Sequence, residues 1–323
     1  MPADVPRVAL GLQGGGSHGA FTWGVLDRLL EDVAAGRLAL AAISGASSGA
    51  VNAALCASGL AADGAGAARA RLRAFWEGLS RRGYATGNSF FGFADPAGIF
   101  GFNIDWSPAA IMLEAAGLVV SPYTNPFYVD FLTPLLRQSF PAAELERLNR
   151  PDALRLFLSA TNVHTNARTI FSQPDISVDV LRASACLPTE FKAVQLGHSL
   201  YWDGGYLGNP PLDPLLDIAT DLLLVLINPF HYDPTPPFTA RQILDRLNQI
   251  TFNASVVLEM NAIAAINRAV GAAGGSLAKP GGGEYQTVHL HLIRNDRFME
   301  SLGFVSKLST SWALIESLFE NGR

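Results

Sequence analysis

Residues 8–58 read VALGLQGGGSHGAFTWGVLDRLLEDVAAGRLALAAISGASSGAVNAALCAS. Two short apolar runs, Val8 to Leu12 and Leu38 to Ile43, each run into a glycine-rich turn and then into a helical pattern. In the first helix, at about 17–33, Phe21, Val25, Leu26, Leu29 and Leu30 recur at helical spacing, and Gly36 stops it. The second begins at about Ala50, after Ser44-Gly45-Ala46-Ser47-Ser48-Gly49. Strand, helix, strand, helix with short links is how a doubly wound parallel sheet opens. The expected fold is therefore α/β: a three-layer α/β/α sandwich around a mostly parallel sheet.

Outward from this stretch, a helix is predicted near 67–80. Between 83 and 126 the chain is rich in Gly, Pro and aromatics and has no period; Phe90, Phe91, Phe93, Phe100, Phe102 and Trp106 lie there. It reads as an irregular insertion, a lid or acyl-channel wall, with a satellite cluster under a long loop as the plainer alternative. Strands are predicted at 154–162 and 167–172, a helix at 177–185, and a hairpin of 191–196 with 199–202 across Gly197-His198. A helix at 212–220, a buried strand at 222–228 ended by Pro229 and a long helix at 239–270 follow. A flexible loop at 271–283, a strand at 288–294 and a closing helix at 305–319 complete the order. No internal repeat is visible, so a single domain over 5–323 is expected, with the insertion at about 83–126.

Apolar residues make up 49% of the 323 and charged residues 16%, against a usual charged share of about a quarter. Mean hydropathy is +0.22. That suits a protein that handles apolar ligands, and a well-buried parallel sheet gives the same skew. The net charge of -5 argues against nucleic acid as a partner. Lys192, Lys279 and Lys307 are the only lysines, and no polybasic run exists to hold an anionic membrane. Peripheral membrane contact would then rest on apolar insertion. Residues 1–6 have neither the basic nor the apolar region of a secretory signal, and the longest aliphatic run, Leu222 to Ile227, is too short for a bilayer. Cys56 and Cys186 read as packing residues, so a cytoplasmic location is expected. The sequence leaves the oligomeric state open.

Gly45-Ala46-Ser47-Ser48-Gly49 is a GxSxG between a strand and a helix. A serine on so tight a turn projects its hydroxyl off the sheet, and a Cβ at Gly45 or Gly49 would collide with the following helix. The helix also aims its positive end at charge forming beside that hydroxyl. Many such matches are ordinary turns. The cluster Gly14-Gly15-Gly16-Ser17-His18-Gly19 can supply backbone N–H donors to an oxyanion, with Gly15 and Gly16 the preferred donors and Gly14 shaping the turn. Gly14-x-Gly16-x-x-Gly19 also matches a dinucleotide fingerprint, but that motif wants an acidic residue at the end of the second strand, where Ser44 stands. Asp203-Gly204-Gly205 follows an apolar strand; partial burial there would raise the carboxylate towards a useful base. A DGG is otherwise a plain turn.

Together these blocks resemble the patatin-like phospholipase family over most of the chain. The oxyanion loop at 14–19, the elbow at Ser47, Ala183-Ser184-Ala185-Cys186-Leu187-Pro188 and the closing Asp203-Gly204-Gly205 stand in the family's order. The resemblance implies a catalytic dyad of Ser47 and Asp203 without histidine, an oxyanion hole at Gly14, Gly15 and Gly16, and a fatty-acyl ester of a glycerolipid as substrate. No EF-hand pattern, Walker loop or clustered Cys/His site is present, so no cofactor and no metal is expected. Where the family's loop usually carries Arg or Lys, this chain has His18. A histidine triad, from Asp203 with His231, His289 or His291, conflicts with an elbow that comes after only two strands. His289-x-His291 lacks a nearby third metal ligand, and Ser48, Ser184 and Asn209 read as shaping the site. A lipid acyl hydrolase working through an acyl-enzyme is the expected function. The alternatives are a Rossmann-type dinucleotide-binding protein and a catalytically silent lipid-binding protein of the same fold.

Overall fold

The computed structural model describes residues 5–85, 101–105, 107, 111, 120–230, 236–279 and 282–323. The strands of its main sheet are β1 (Arg7–Leu12), β2 (Ala39–Ala46), β3 (Arg155–Asn162), β4 (Ala167–Phe171), β5 (Val194–Leu196), β6 (Ser199–Asp203), β7 (Asp221–Val225) and β8 (His289–Ile293). The helices are α1 (Gly19–Ala34), α2 (Ser48–Ala85), α3 (Leu132–Ser139), α4 (Ala142–Leu148), α5 (Val178–Ser184), α6 (Ala240–Ala272), α7 (Asp296–Glu300) and α8 (Trp312–Gly322).

The sheet runs in the order β8-β7-β1-β2-β3-β6-β5, and β4 also pairs with β3. All four junctions from β8 to β3 are parallel. The antiparallel pairs are confined to β3–β4, β3–β6 and β5–β6. From β1 the chain winds one way through β2 to β3, and later the other way through β7 to β8. The carboxyl ends of β1 and β7 therefore flank a topological switch point, where open α/β sheets bind ligands.

Alternation along the strands feeds two apolar layers. Leu10 and Leu12 face a layer built with Phe21, Leu26, Leu55, Leu72 and Ile315 from α1, α2 and α8. Ala9, Leu222 and Leu224 face the opposite layer, with Leu212, Val256 and Ile263, the last two from α6. Helices thus cover both faces, and the architecture is the expected three-layer sandwich.

Several expectations change. The two helices foreseen at 50–58 and 67–80 join as α2, kinked at Asp63 and Gly64. At 212–220 the helix shrinks to a 3-10 turn over Asp213–Leu215, with Pro214 inside it. The closing helix breaks into a 3-10 turn, Val305–Leu308, and α8. The loop at 271–283 contributes to a ribbon of Leu277–Ala278 with Glu284–Tyr285. Phe90, Phe91, Phe93, Phe100 and Trp106 of the expected lid lie outside the described residues, as does His231; Phe102 is partly exposed. α6 is long and apolar enough to cross a membrane by length and composition; polar residues interrupt its apolar ones, so no continuous aliphatic run marks it.

Candidate active site

Ser47 follows β2 directly and precedes the first residue of α2. Its φ is 51°, the left-handed region that a side chain occupies only at a cost. The neighbours explain how the turn closes. A Cβ on Gly49 would lie 2.1 Å from the Leu12 carbonyl oxygen, and one on Gly45 would lie 2.7 Å from the Ala50 nitrogen. Both obstacles are backbone, so only glycine fits. The Ser47 N–H donates to Ser184 Oγ at 3.1 Å.

Asp203 ends β6, fully buried. Its N–H donates to the Cys186 carbonyl at 2.8 Å, and its Oδ1 accepts the Gly205 N–H at 2.7 Å. The stretch Ala183 to Pro188 thus holds Ser47 through Ser184 and Asp203 through Cys186, which gives that block a physical purpose. Burial pushes the Asp203 carboxyl up to about 7, while the Ser47 hydroxyl, as a hydrogen-bonding neighbour, and the Gly205 N–H pull it down. Asp203 Oδ2 is buried and has no hydrogen-bond partner among the described residues. A bare carboxylate oxygen beside a strained serine is free to accept that serine's proton.

The glycine loop leaves β1 and packs on the elbow: a Cβ on Gly14 would sit 2.6 Å from Ser47 Cβ. Gly14 N–H donates to Asn209 Oδ1 at 2.7 Å, so it fixes the turn and is not open to an oxyanion. Gly15 N–H makes a longer bond, 3.2 Å, to Ser48 Oγ. Gly16 has φ 59° and begins a 3-10 turn, Gly16–His18. Among the described residues no acceptor faces its N–H, as expected for the first turn of a helix. Gln13 locks the loop to β7: its N–H donates to the Val225 carbonyl, and its Oε1 accepts the Ile227 and Asn228 N–H groups.

His18 is buried. Ser306 Oγ donates to the Gly303 carbonyl, so His18 Nε2 is the donor in its 2.7 Å bond to Ser306 Oγ. Burial first, and the Lys307 charge second, push its pKa down to about 3. The loop's own side chain is therefore neutral at physiological pH. Among the described residues no histidine meets either oxygen of Asp203. His289 is paired across from Asp221, the first residue of β7, at the opposite end of the sheet from Ser47. His291 makes an exposed 2.9 Å contact with Asp221. No group of three or more potential metal ligands occurs among the described residues.

Two cavities meet at Ser47 and Gly16. One, of about 100 Å³, is walled mainly by Val51, Phe75, Trp76, Leu79, Phe131 and Phe191. The other, of about 140 Å³, has Thr189, Tyr206, Asn248 and Phe252 in its wall, and Glu190 and Lys307 line both. Burial raises the Glu190 carboxyl. The sequence reading missed α6 and Lys307 as parts of the site.

Residues 10–216 match the family described as patatin-like phospholipase. No curated protein matches the chain. Among solved structures, VipD from Legionella pneumophila is 17% identical with a TM-score of 0.39, over 97% of this chain and 66% of that one. A chain in the complex of full-length SpcU with full-length ExoU, from the type III secretion system of Pseudomonas aeruginosa, is 14% identical with a TM-score of 0.31. That match covers 98% of this chain and 53% of the other. This chain thus spans just under two thirds of the first and about half of the second.

Proposed function

Because this chain belongs to the patatin-like phospholipase family, we propose that it hydrolyses fatty-acyl esters of glycerolipids, as a phospholipase A or lysophospholipase, through a Ser47–Asp203 dyad. The observation that carries the dyad is the buried, unpartnered Oδ2 of Asp203 beside the strained Ser47. Ser47 Oγ attacks the ester carbonyl while Asp203 Oδ2 accepts its proton. Negative charge grows on the carbonyl oxygen, where the Gly16 N–H is open and the Gly15 N–H can leave Ser48. The amino end of α2 adds its dipole. Collapse breaks the ester bond, and Asp203 returns the proton to the leaving alcohol. Water then adds to the acyl-enzyme by the same route, giving the free acid and restoring Ser47.

The cavity walled by Phe75, Trp76, Leu79 and Phe131 suits the acyl chain, and the one bordered by Tyr206 and Asn248 suits the leaving alcohol. No acidic residue stands at the end of β2 for a ribose. Ser44 there turns its hydroxyl to the Pro211 carbonyl, so the dinucleotide reading has no support. Lipid-surface contact is supported by α6, whose Leu244, Leu247 and Leu258 are exposed on the helix that carries Asn248 and Phe252 of the second cavity wall.

Active-site labelling with a fluorophosphonate, together with product analysis by mass spectrometry from a mixed lipid extract, tests the reading. Ser47→Ala should abolish both signals while the protein stays folded. An unlabelled wild-type protein that still binds lipid would instead make this a silent lipid-binding fold.

A further inference from the structure

Lys307 is 9% exposed. Its Nζ donates to Asn228 Oδ1 at 2.8 Å and to Asn248 Oδ1 at 3.1 Å. No carboxylate lies within ion-pairing distance of it among the described residues. The Phe252 and Phe304 rings, each with its centroid 5.6 Å from Nζ, and the neutral amides offset only part of the cost of burying an ammonium, so the position calls for an explanation. Asn228 supplies one. While its Oδ1 holds the lysine, its Nδ2 donates to the Gly14 carbonyl at 3.2 Å. Asn209 Nδ2 donates to the same oxygen at 3.3 Å. That carbonyl and the Gly15 N–H belong to one peptide group, and drawing electrons to the oxygen makes the N–H a stronger donor. The lysine backbone also seats the loop: a Cβ on Gly16 would come within 2.2 Å of the Lys307 carbonyl oxygen. Lys307 lines both cavities that meet at Ser47.

We infer that Lys307 is a positioning residue for the reaction, its ammonium bracing and polarising the glycine loop through Asn228. This rests on Ser47 as nucleophile and the glycine loop as oxyanion hole. Lys307, Asn228 and Asn248 all lie beyond residue 216, where the family match ends. The titratable groups around the lysine are Asp245 of α6, Asp105 of the 101–105 segment, neutral His18, and Glu190 and Tyr206 in the same cavity wall. Burial outweighs the two aspartates and brings Lys307 down to about 8. Its charge is present at neutral pH and is lost as pH rises through that value, while Asp203 must lose its proton near 7 to act as base.

The test is the pH profile of kcat/KM on a soluble, uncharged p-nitrophenyl ester, with kcat and KM separated. The wild type should give a narrow bell, rising near 7 and falling near 8. Lys307→Met should lower kcat by about 10- to 100-fold, leave KM within about twofold, and abolish the alkaline fall while keeping the acid limb. Lys307→Arg should restore much of kcat and move the alkaline limb to higher pH, because a guanidinium keeps its charge where an ammonium loses it. A wild-type profile without the fall near 8, or a Lys307→Met enzyme that keeps it, overturns the proposal; so does a loss confined to KM. The wild-type profile and the Arg variant decide the matter if the Met variant does not fold. Ser47→Ala separates the failures: if hydrolysis survives it, the nucleophile reading is wrong, and if hydrolysis is abolished while Lys307→Met is silent, only the lysine's role falls.

Discussion

Replacing Asp203 by Asn should destroy activity and, at neutral and alkaline pH, relieve a cost that the fold carries for its sake. The carboxyl lies fully buried with one oxygen unpartnered, and burial lifts it from 3.8 to about 7. Below 3.8 the group is neutral in both folded and unfolded chains and contributes nothing. Between 3.8 and 7 the unfolded chain releases the proton while the folded one keeps it, so stability falls as pH rises. Above 7 both are ionised and the loss is complete, about 4 kcal/mol from that displacement. Asn cannot ionise, so this dependence should vanish in the variant. The new amide needs a partner for its second N–H, a pH-independent cost of about 1–2 kcal/mol, so the slope is diagnostic and the absolute difference is not. Denaturant unfolding of both proteins at pH 4.5 and 8.5 should show the variant gaining about 3 kcal/mol relative to wild type. Ester hydrolysis should fall by about three orders of magnitude, because an amide cannot take the Ser47 proton. His289→Ala and His291→Ala, at surface positions of β8, should stay within a few-fold of wild type. A stability gap that does not move with pH would refute the burial argument. A tolerated Asp203→Asn beside an inactivating histidine variant would refute the dyad.

Ser48→Ala should retain hydrolysis to within about tenfold in kcat, because Ser48 Oγ holds the Gly15 N–H only until an oxyanion takes its place; turnover that survives Ser47→Ala and vanishes in Ser48→Ala would reverse the assignment. Gly49→Ala should cost at least about 2 kcal/mol in denaturant unfolding, since its methyl would meet the Leu12 carbonyl. Gly66→Ala in α2, with nothing within 4 Å of the added Cβ, should be neutral or stabilise by up to about 1 kcal/mol. The double change of Leu244 and Leu247 to Ser should weaken hydrolysis of vesicle lipids more than of a short-chain ester, with little dependence on salt. Equal losses on both substrates would put these exposed side chains of α6 outside any lipid contact.

The parts of the site that depend on backbone shape were legible because each such demand narrows a position to glycine. Gly45 and Gly49 are glycines because carbonyls and amides of neighbouring segments fill the space of a Cβ, and Gly16 because its φ is positive. The opening strands and helices were legible for the same local reason, with apolar spacing and stop signals within a few residues. Where prolines interrupt that spacing, the reading failed in both directions. Leu132, Leu135 and Leu136 carry the buried stripe of α3, but Pro134 in its first turn looks like a breaker, although the first turn tolerates it. Leu212 and Leu215 carry a similar stripe, yet only a 3-10 turn forms around Pro214.

The electrostatic parts of the site left no such trace. Lys307 lies in the stretch that reads as the start of the closing helix, and its partners Asn228 and Asn248 are 79 and 59 residues away. Nothing in the spacing joins three residues that meet only when β7, α6 and the 305–308 turn close around the glycine loop. A field inside a protein is set by which dipoles and charges share a dry volume, and that volume is a product of topology. The switch point beside β1 brings β7 next to the loop, and with it Asn228 at the carboxyl end. α6 then crosses the same end of the sheet and adds Asn248. Strain at Ser47 is thus written in neighbouring letters, while the charge proposed to act on it is assembled from three distant segments. Substitutions at the glycines should therefore act first on folding, and substitutions at Lys307 first on the pH profile.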